Sequence, residues 1–194
     1  MKIGNQHYQT IWLDESDTSV VKVIDQQKLP FFFEIKELRS VEDVYNAIDV
    51  MTVRGAPLIG AAAAFGIYLS AYEITVNTNP LQHIHNAAKY LVSCRPTAVN
   101  LSWAVNHVLA ALNDKMSIEE LSASALRTAL EICDLETENC RQIGIHGLPL
   151  IEEISRRKNG DTVNILSHCN AGWLACIDYG TATAPMYLAH DRGI

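Results

Sequence analysis

Three residues stand where they could do chemistry: Cys169, Arg54 and Arg95. Cys169 closes a short apolar run in the stretch Ile165-Leu166-Ser167-His168-Cys169-Asn170-Ala171-Gly172. The pattern predicts a buried parallel strand over 162–167, with a helix opening at about Ala171. A thiol at that strand tip and helix mouth would be accessible and acidified, the setting of a reactive cysteine. A packed, inert thiol is the competing reading, and it is the one assigned to Cys133, Cys140 and Cys176. His168 adjoins Cys169, but neighbours on a strand face opposite ways, so the two need not touch. His146, between glycines, could reach the site or merely pack.

Arg54 and Arg95 share an unusual setting. Each stands just before a long uncharged stretch that predicts a buried helix, Ala56 to Tyr72 and Pro96 to Asn113. A helix N-terminus carries roughly +0.5 of a charge, so a cation there is unfavourable unless an anion lies close by. Free amides and a guanidinium fork together suit phosphate. Gly55 and Ala56 would let a ligand approach the backbone. The alternative is that each arginine pairs with a carboxylate of the protein, such as Glu34 or Asp43.

Composition narrows the function classes. The chain has 194 residues, a net charge of −7 and no basic run, which argues against general nucleic-acid binding. Apolar residues make up 48% and charged residues 19%, as expected of a globular protein. The five cysteines are odd in number and form no C-x-x-C pair, which fits reduced, cytoplasmic thiols. His83 and His85 fall on a predicted helix where their side chains diverge, so no metal site is expected. The sequence has no glycine-rich nucleotide loop, and no cofactor is expected. The polar N-terminus lacks the apolar core of a signal peptide. The uncharged run from Ala56 is too short and too rich in glycine and proline to span a bilayer.

The elements that must position these residues follow an α/β order. Strand-like runs at 8–13, 19–25 and 31–38 predict a small antiparallel N-terminal sheet. A helical bundle follows, its helices opened by Ser40 with Asp43, by Pro57, and by Ser117 with Glu120. The long helical region 118–158 is expected to break near Gly144–Pro149. The segment 151–194 reads as the first β-α unit of an incomplete Rossmann-like parallel-sheet domain, after an N-terminal domain over 1–150. The boundary falls somewhere in 145–160.

The motifs VRGAPLIGAAAAFG, RPTAVNLSWA, IGIHG and ILSHCNAG resemble those of the methylthioribose-1-phosphate isomerase family, in the same order and at similar spacing. The same superfamily includes ribose-1,5-bisphosphate isomerases and regulatory subunits of the eukaryotic guanine-nucleotide-exchange initiation factor. The resemblance implies an aldose–ketose isomerase of methionine salvage, acting on 5-methylthioribose 1-phosphate as a cytoplasmic homodimer. It implies that Arg54, Gly55, Ala56 and Arg95 hold the substrate and that Cys169 is the catalytic thiol. It also implies an acid/base aspartate well downstream of HCNAG, in a region absent here. The chain is therefore expected to be the N-terminal part of a longer enzyme and to be inactive alone. The alternatives are a non-catalytic sugar-phosphate- or nucleotide-sensing subunit and a ribose-1,5-bisphosphate isomerase.

Overall fold

The computed structural model describes residues 1–75 and 78–194. The chain opens with a short hairpin, β1 (Lys2–Ile3) and β2 (Gln6–His7). Three further strands, β3 (Ile11–Leu13), β4 (Val21–Ile24) and β5 (Ile35–Leu38), form an antiparallel sheet in sequence order. Their register pairs Ile11 with Val23 and Val21 with Leu38, four residues whose side chains all enter the core. This is the predicted sheet with one difference. Phe31, Phe32 and Phe33 lie outside β5 and are exposed. Proline at 30 offers no ladder donor, and the amides of Phe31 and Phe32 instead close a turn on the carbonyl of Lys28.

Helix α1 (Val41–Asp49) starts at Ser40, whose hydroxyl accepts the amide of Asp43 at 3.0 Å. Helix α2 (Ala56–Ser70) is buried on every side from Leu58 onward. That burial follows from its composition, because a helix without a charged residue has no face to offer water. Around it stand α1, α3 (Pro80–Cys94), α4 (Val99–Ala110) and α5 (Ile118–Arg157), with the three-stranded sheet closing the same core. Among the described residues no helix is long and apolar enough to cross a membrane.

Two expectations change. First, α5 runs unbroken for 40 residues through Gly144–Pro149. The glycines there do not break the helix; they admit α6 (Ala184–Asp191) against it. A Cβ at Gly144 would lie 2.8 Å from Leu188 Cδ1, and one at Gly147 only 2.5 Å from Pro185 Cγ. Pro149 deprives the Ile145 carbonyl of its helical donor, but both residues face solvent, where water can replace it. Packing of α6 offsets the rest of the proline penalty.

Second, residues 162–167 form no strand among the described residues, and Leu166 is 98% exposed. A parallel strand satisfies its backbone only between neighbours, and none is at hand. The helix expected from Ala171 does not form either. A three-residue 3-10 turn, Trp173–Ala175, takes its place, and α-helix resumes only in α6. The amides in between are satisfied by turns, such as Ala175 N–H to Gly172 O and Thr181 N–H to Ala171 O, both at 3.0 Å.

Candidate functional site

Arg54 lies in the loop joining α1 to α2. That loop is pinned from two sides: Val53 N–H donates to Ala47 O, and Gln26 N–H donates to Thr52 O, each at 3.0 Å. Gly55 then opens α2 with φ +110°, a conformation that a residue with a Cβ rarely adopts. Its carbonyl accepts the amide of Ile59 at 2.9 Å, and Pro57 sits in the first turn, where its missing N–H costs nothing. Arg95 ends α3, and Ala98 opens α4 three residues later.

The two helices cross near their N-termini. A Cβ placed on Gly60, one turn into α2, would lie 3.0 Å from the carbonyl oxygen of Asn100, in the first turn of α4. Neither helix has an acidic residue in its first turn, and neither has a side-chain cap. Their leading amides therefore lack an internal anion, which most helices supply for themselves.

The arginines are equally unspent. Arginine–carboxylate pairs are made by Arg39, Arg127, Arg141, Arg157 and Arg192. Among the described residues neither Arg54 nor Arg95 pairs with a carboxylate. Asp43, one alternative partner, accepts the backbone amide of Arg39 at 2.9 Å, and Glu34 is exposed. Arg54 is exposed and Arg95 half-buried.

The segment after Cys169 reaches the same place. Ala175 lies so close to Gly55 that a Cβ there would meet the Ala175 Cα at 2.4 Å. The structure thus brings together Gly55, the mouths of α2 and α4, and the turn at 173–176. Cys169 itself is exposed, with φ +69°, and makes no hydrogen bond among the described residues. It stands on a strained loop tip, not at an α-helix mouth, because the helix predicted to follow it is absent. His168 and His146 are exposed, and neither bonds to the thiol among the described residues.

Three of the other cysteines differ sharply. Burial pushes the Cys133 thiol up to about 12. Cys176 is raised by its hydrogen bond to Cys140 and then by burial, so it stays protonated. Cys94 is half-buried and raised by burial. Alkylation of the native protein by iodoacetamide is expected to label Cys169 first. Cys133, Cys140 and Cys176 should label only after denaturation, as peptide mass spectrometry would read. Labelling of a buried thiol ahead of Cys169 would contradict this order.

Some participants carry no sequence signal. Asp178 is buried at the far end of the 173–178 segment, where one carboxylate oxygen accepts the N-terminal ammonium at 2.5 Å and the other bonds His7 Nε2 at 2.6 Å. Gln26 is buried in a turn, and its side-chain N–H donates to Leu174 O at 2.6 Å. Nothing in Asp25-Gln26-Gln27 separates Gln26 from its neighbours, since its partner lies 148 positions away.

Comparison with known proteins fits this geometry. Residues 52–193 match the model of the initiation factor 2 subunit family. The chain is 52% identical, over all its length, to the methylthioribose-1-phosphate isomerase of Desulfatibacillum aliphaticivorans, and 44% identical to that of Gluconobacter oxydans. It covers 53% and 52% of those proteins, so it spans about half the length of the curated relatives it matches. Two crystal structures share the fold. One is the translation initiation factor eIF-2B subunit delta from A. fulgidus, at TM-score 0.82 and 37% identity over 96% of this chain and 52% of that one. The other is the 5-methylthioribose 1-phosphate isomerase from Pyrococcus horikoshii, at TM-score 0.83 and 33% identity over 97% of this chain and 51% of that one.

Proposed function

Because this chain belongs to the initiation factor 2 subunit family, we propose that it forms the phosphate-holding part of an aldose–ketose isomerase acting on 5-methylthioribose 1-phosphate. The observation that carries the reading is the close approach of two helices without side-chain caps near their N-termini, each preceded by an arginine that pairs with no carboxylate among the described residues. The names of the relatives supply the sugar.

In this reading Arg54 and Arg95 fork onto the phosphate oxygens, and the leading amides of α2 and α4 complete the cradle. Gly55 and Ala56 let the sugar lie against the backbone. The anomeric oxygen carries the phosphate, so the ring opens only when its own oxygen is protonated. Hydrogen then moves from C2 to C1 and the C2 hydroxyl gives up its proton, leaving a carbonyl at C2 and balancing the proton taken up by the ring oxygen. Cys169 is the thiol at the reacting carbons. The acid/base aspartate implied by the family resemblance lies further along the longer protein, in a Rossmann-like domain beginning near residue 150. A homodimer, implied by the family resemblance alone, belongs to the same proposal, as do a cytoplasmic location and the lack of nucleic-acid binding, which the odd cysteine count and the net charge of −7 support.

A second reading, a non-catalytic regulatory subunit, is favoured by the initiation-factor neighbour, the more identical of the two structures. One experiment separates them. The intact protein is assayed with 5-methylthioribose 1-phosphate and with ribose 1,5-bisphosphate, alongside Arg54→Ala and Arg95→Ala. Loss of one charge-assisted fork is expected to raise KM about 10- to 100-fold in each variant. Turnover of neither sugar, with binding intact, would establish the regulatory reading. Wild-type KM in both variants would remove the phosphate site.

A further inference from the structure

Gln26 touches both halves of the candidate site at once. Its backbone N–H holds the carbonyl of Thr52 at 3.0 Å, two residues before Arg54. Its side-chain N–H holds the carbonyl of Leu174 at 2.6 Å, next to the Ala175 that covers Gly55. Three segments remote in sequence therefore meet on one residue: the turn after β4, the turn carrying Arg54 and Gly55, and the segment following Cys169.

The chemistry of the residue argues for more than filling space. Gln26 is 7% exposed, and its Oε1 has no hydrogen-bond partner among the described residues. A buried amide satisfied at one end carries a desolvation cost that methionine, of similar length, would avoid. What methionine lacks is the donor to Leu174. That carbonyl belongs to the 3-10 turn, in which the amide of Ala175, like that of Cys176 just after it, bonds back within the segment, to Gly172 and Trp173. Such a short turn depends on outside contacts for its place.

We infer that Gln26 is a positioning residue that sets the spacing between the arginine–glycine turn and the segment that follows the thiol. The consequence for turnover rests on the isomerase reading; the clamp itself does not. Holding the substrate's phosphate at one end and the thiol at the other demands a fixed separation, and an error of about 1 Å costs ~100-fold in rate.

The test compares Gln26→Met and Gln26→Ala in the intact protein by two readouts. Amide hydrogen exchange is followed by mass spectrometry in peptides covering 172–177, with a peptide from α3 as the control. Exchange over 172–177 is expected to rise ~10-fold or more in both variants while α3 is unchanged, the mark of a local opening. With substrate, kcat is expected to fall about 10- to 100-fold while KM stays within about threefold, because the phosphate anchors are untouched. Wild-type exchange in Gln26→Met would overturn the inference, since the residue would then merely fill space. So would faster exchange throughout α3, which would mean general destabilisation, or raised local exchange with an unaltered kcat. If the parent protein turns over no sugar but the local exchange rises, the clamp stands and the isomerase reading falls.

Discussion

Replacing Cys169 with serine in the intact protein is expected to abolish isomerase turnover, by about 1,000-fold or more, and to leave stability within about 0.5 kcal/mol of wild type. The two halves of that expectation have separate causes. Serine keeps the size of the side chain but not the sulfur, whose ready ionisation and polarisability the proposed role uses. Stability is spared because the side chain is exposed and bonded to nothing among the described residues.

The backbone sharpens the test. Cys169 has φ +69°, a left-handed conformation that costs a residue with a Cβ roughly 1–2 kcal/mol. Glycine relieves that strain at an entropic cost of about 0.5–1 kcal/mol. Cys169→Gly is therefore expected to be at least as stable as the parent and equally inactive. A cysteine held in strain on an exposed loop has no packing reason to be there, and strain of this kind gathers at functional sites. Denaturant unfolding and steady-state kinetics on both variants check the prediction. Retention of more than a tenth of the turnover by Cys169→Ser would deny the thiol its role and favour the regulatory reading.

The second large effect is expected at Gly55. Alanine there must adopt φ +110° and place its Cβ 2.4 Å from Ala175 Cα and 2.5 Å from Ala175 O. Both are backbone atoms, so no rotamer change relieves the clash. Backbone strain of about 1–3 kcal/mol and overpacking of similar size together predict a loss of ~2–6 kcal/mol. The urea midpoint should fall with little change in slope. Gly160→Ala is the matched control. Gly160 also has positive φ, at +86°, but nothing lies within 4 Å of a Cβ there. Its alanine variant pays only the backbone strain, so the difference between the two isolates the contact with Ala175. Equal losses at the two positions would show that residues 173–176 do not press on the mouth of α2.

Several features were legible before any coordinates. The uncharged run from Ala56 read best as a buried helix, and it became the centre of the bundle. Ser40 and Ser117 announced helix starts through the hydroxyl each offers to an amide three residues on, at 3.0 Å and 3.2 Å. The arginines ahead of α2 and α4 were conspicuous because each sits on the wrong side of a helix dipole. Elsewhere local pattern misled. Gly144, Gly147 and Pro149 look like a helix break, yet α6 packs into the space the glycines leave. Residues 162–167 have the composition of a strand, but a strand is a relation between segments, and no partner segment is present among the described residues.

Sequence alone therefore located the helix starts at Ser40, Pro57 and Ser117, the N-terminal sheet and the arginines that lacked a local reason to be where they are. These depend on short-range physics: periodicity, caps and charge within a turn or two. Tertiary structure decided that α2 and α4 cross near their N-termini, that Ala175 seals Gly55, and that Gln26 bonds both sides of the site. Those contacts join residues 26 to 148 positions apart. They depend on how whole helices pack, which no local pattern encodes.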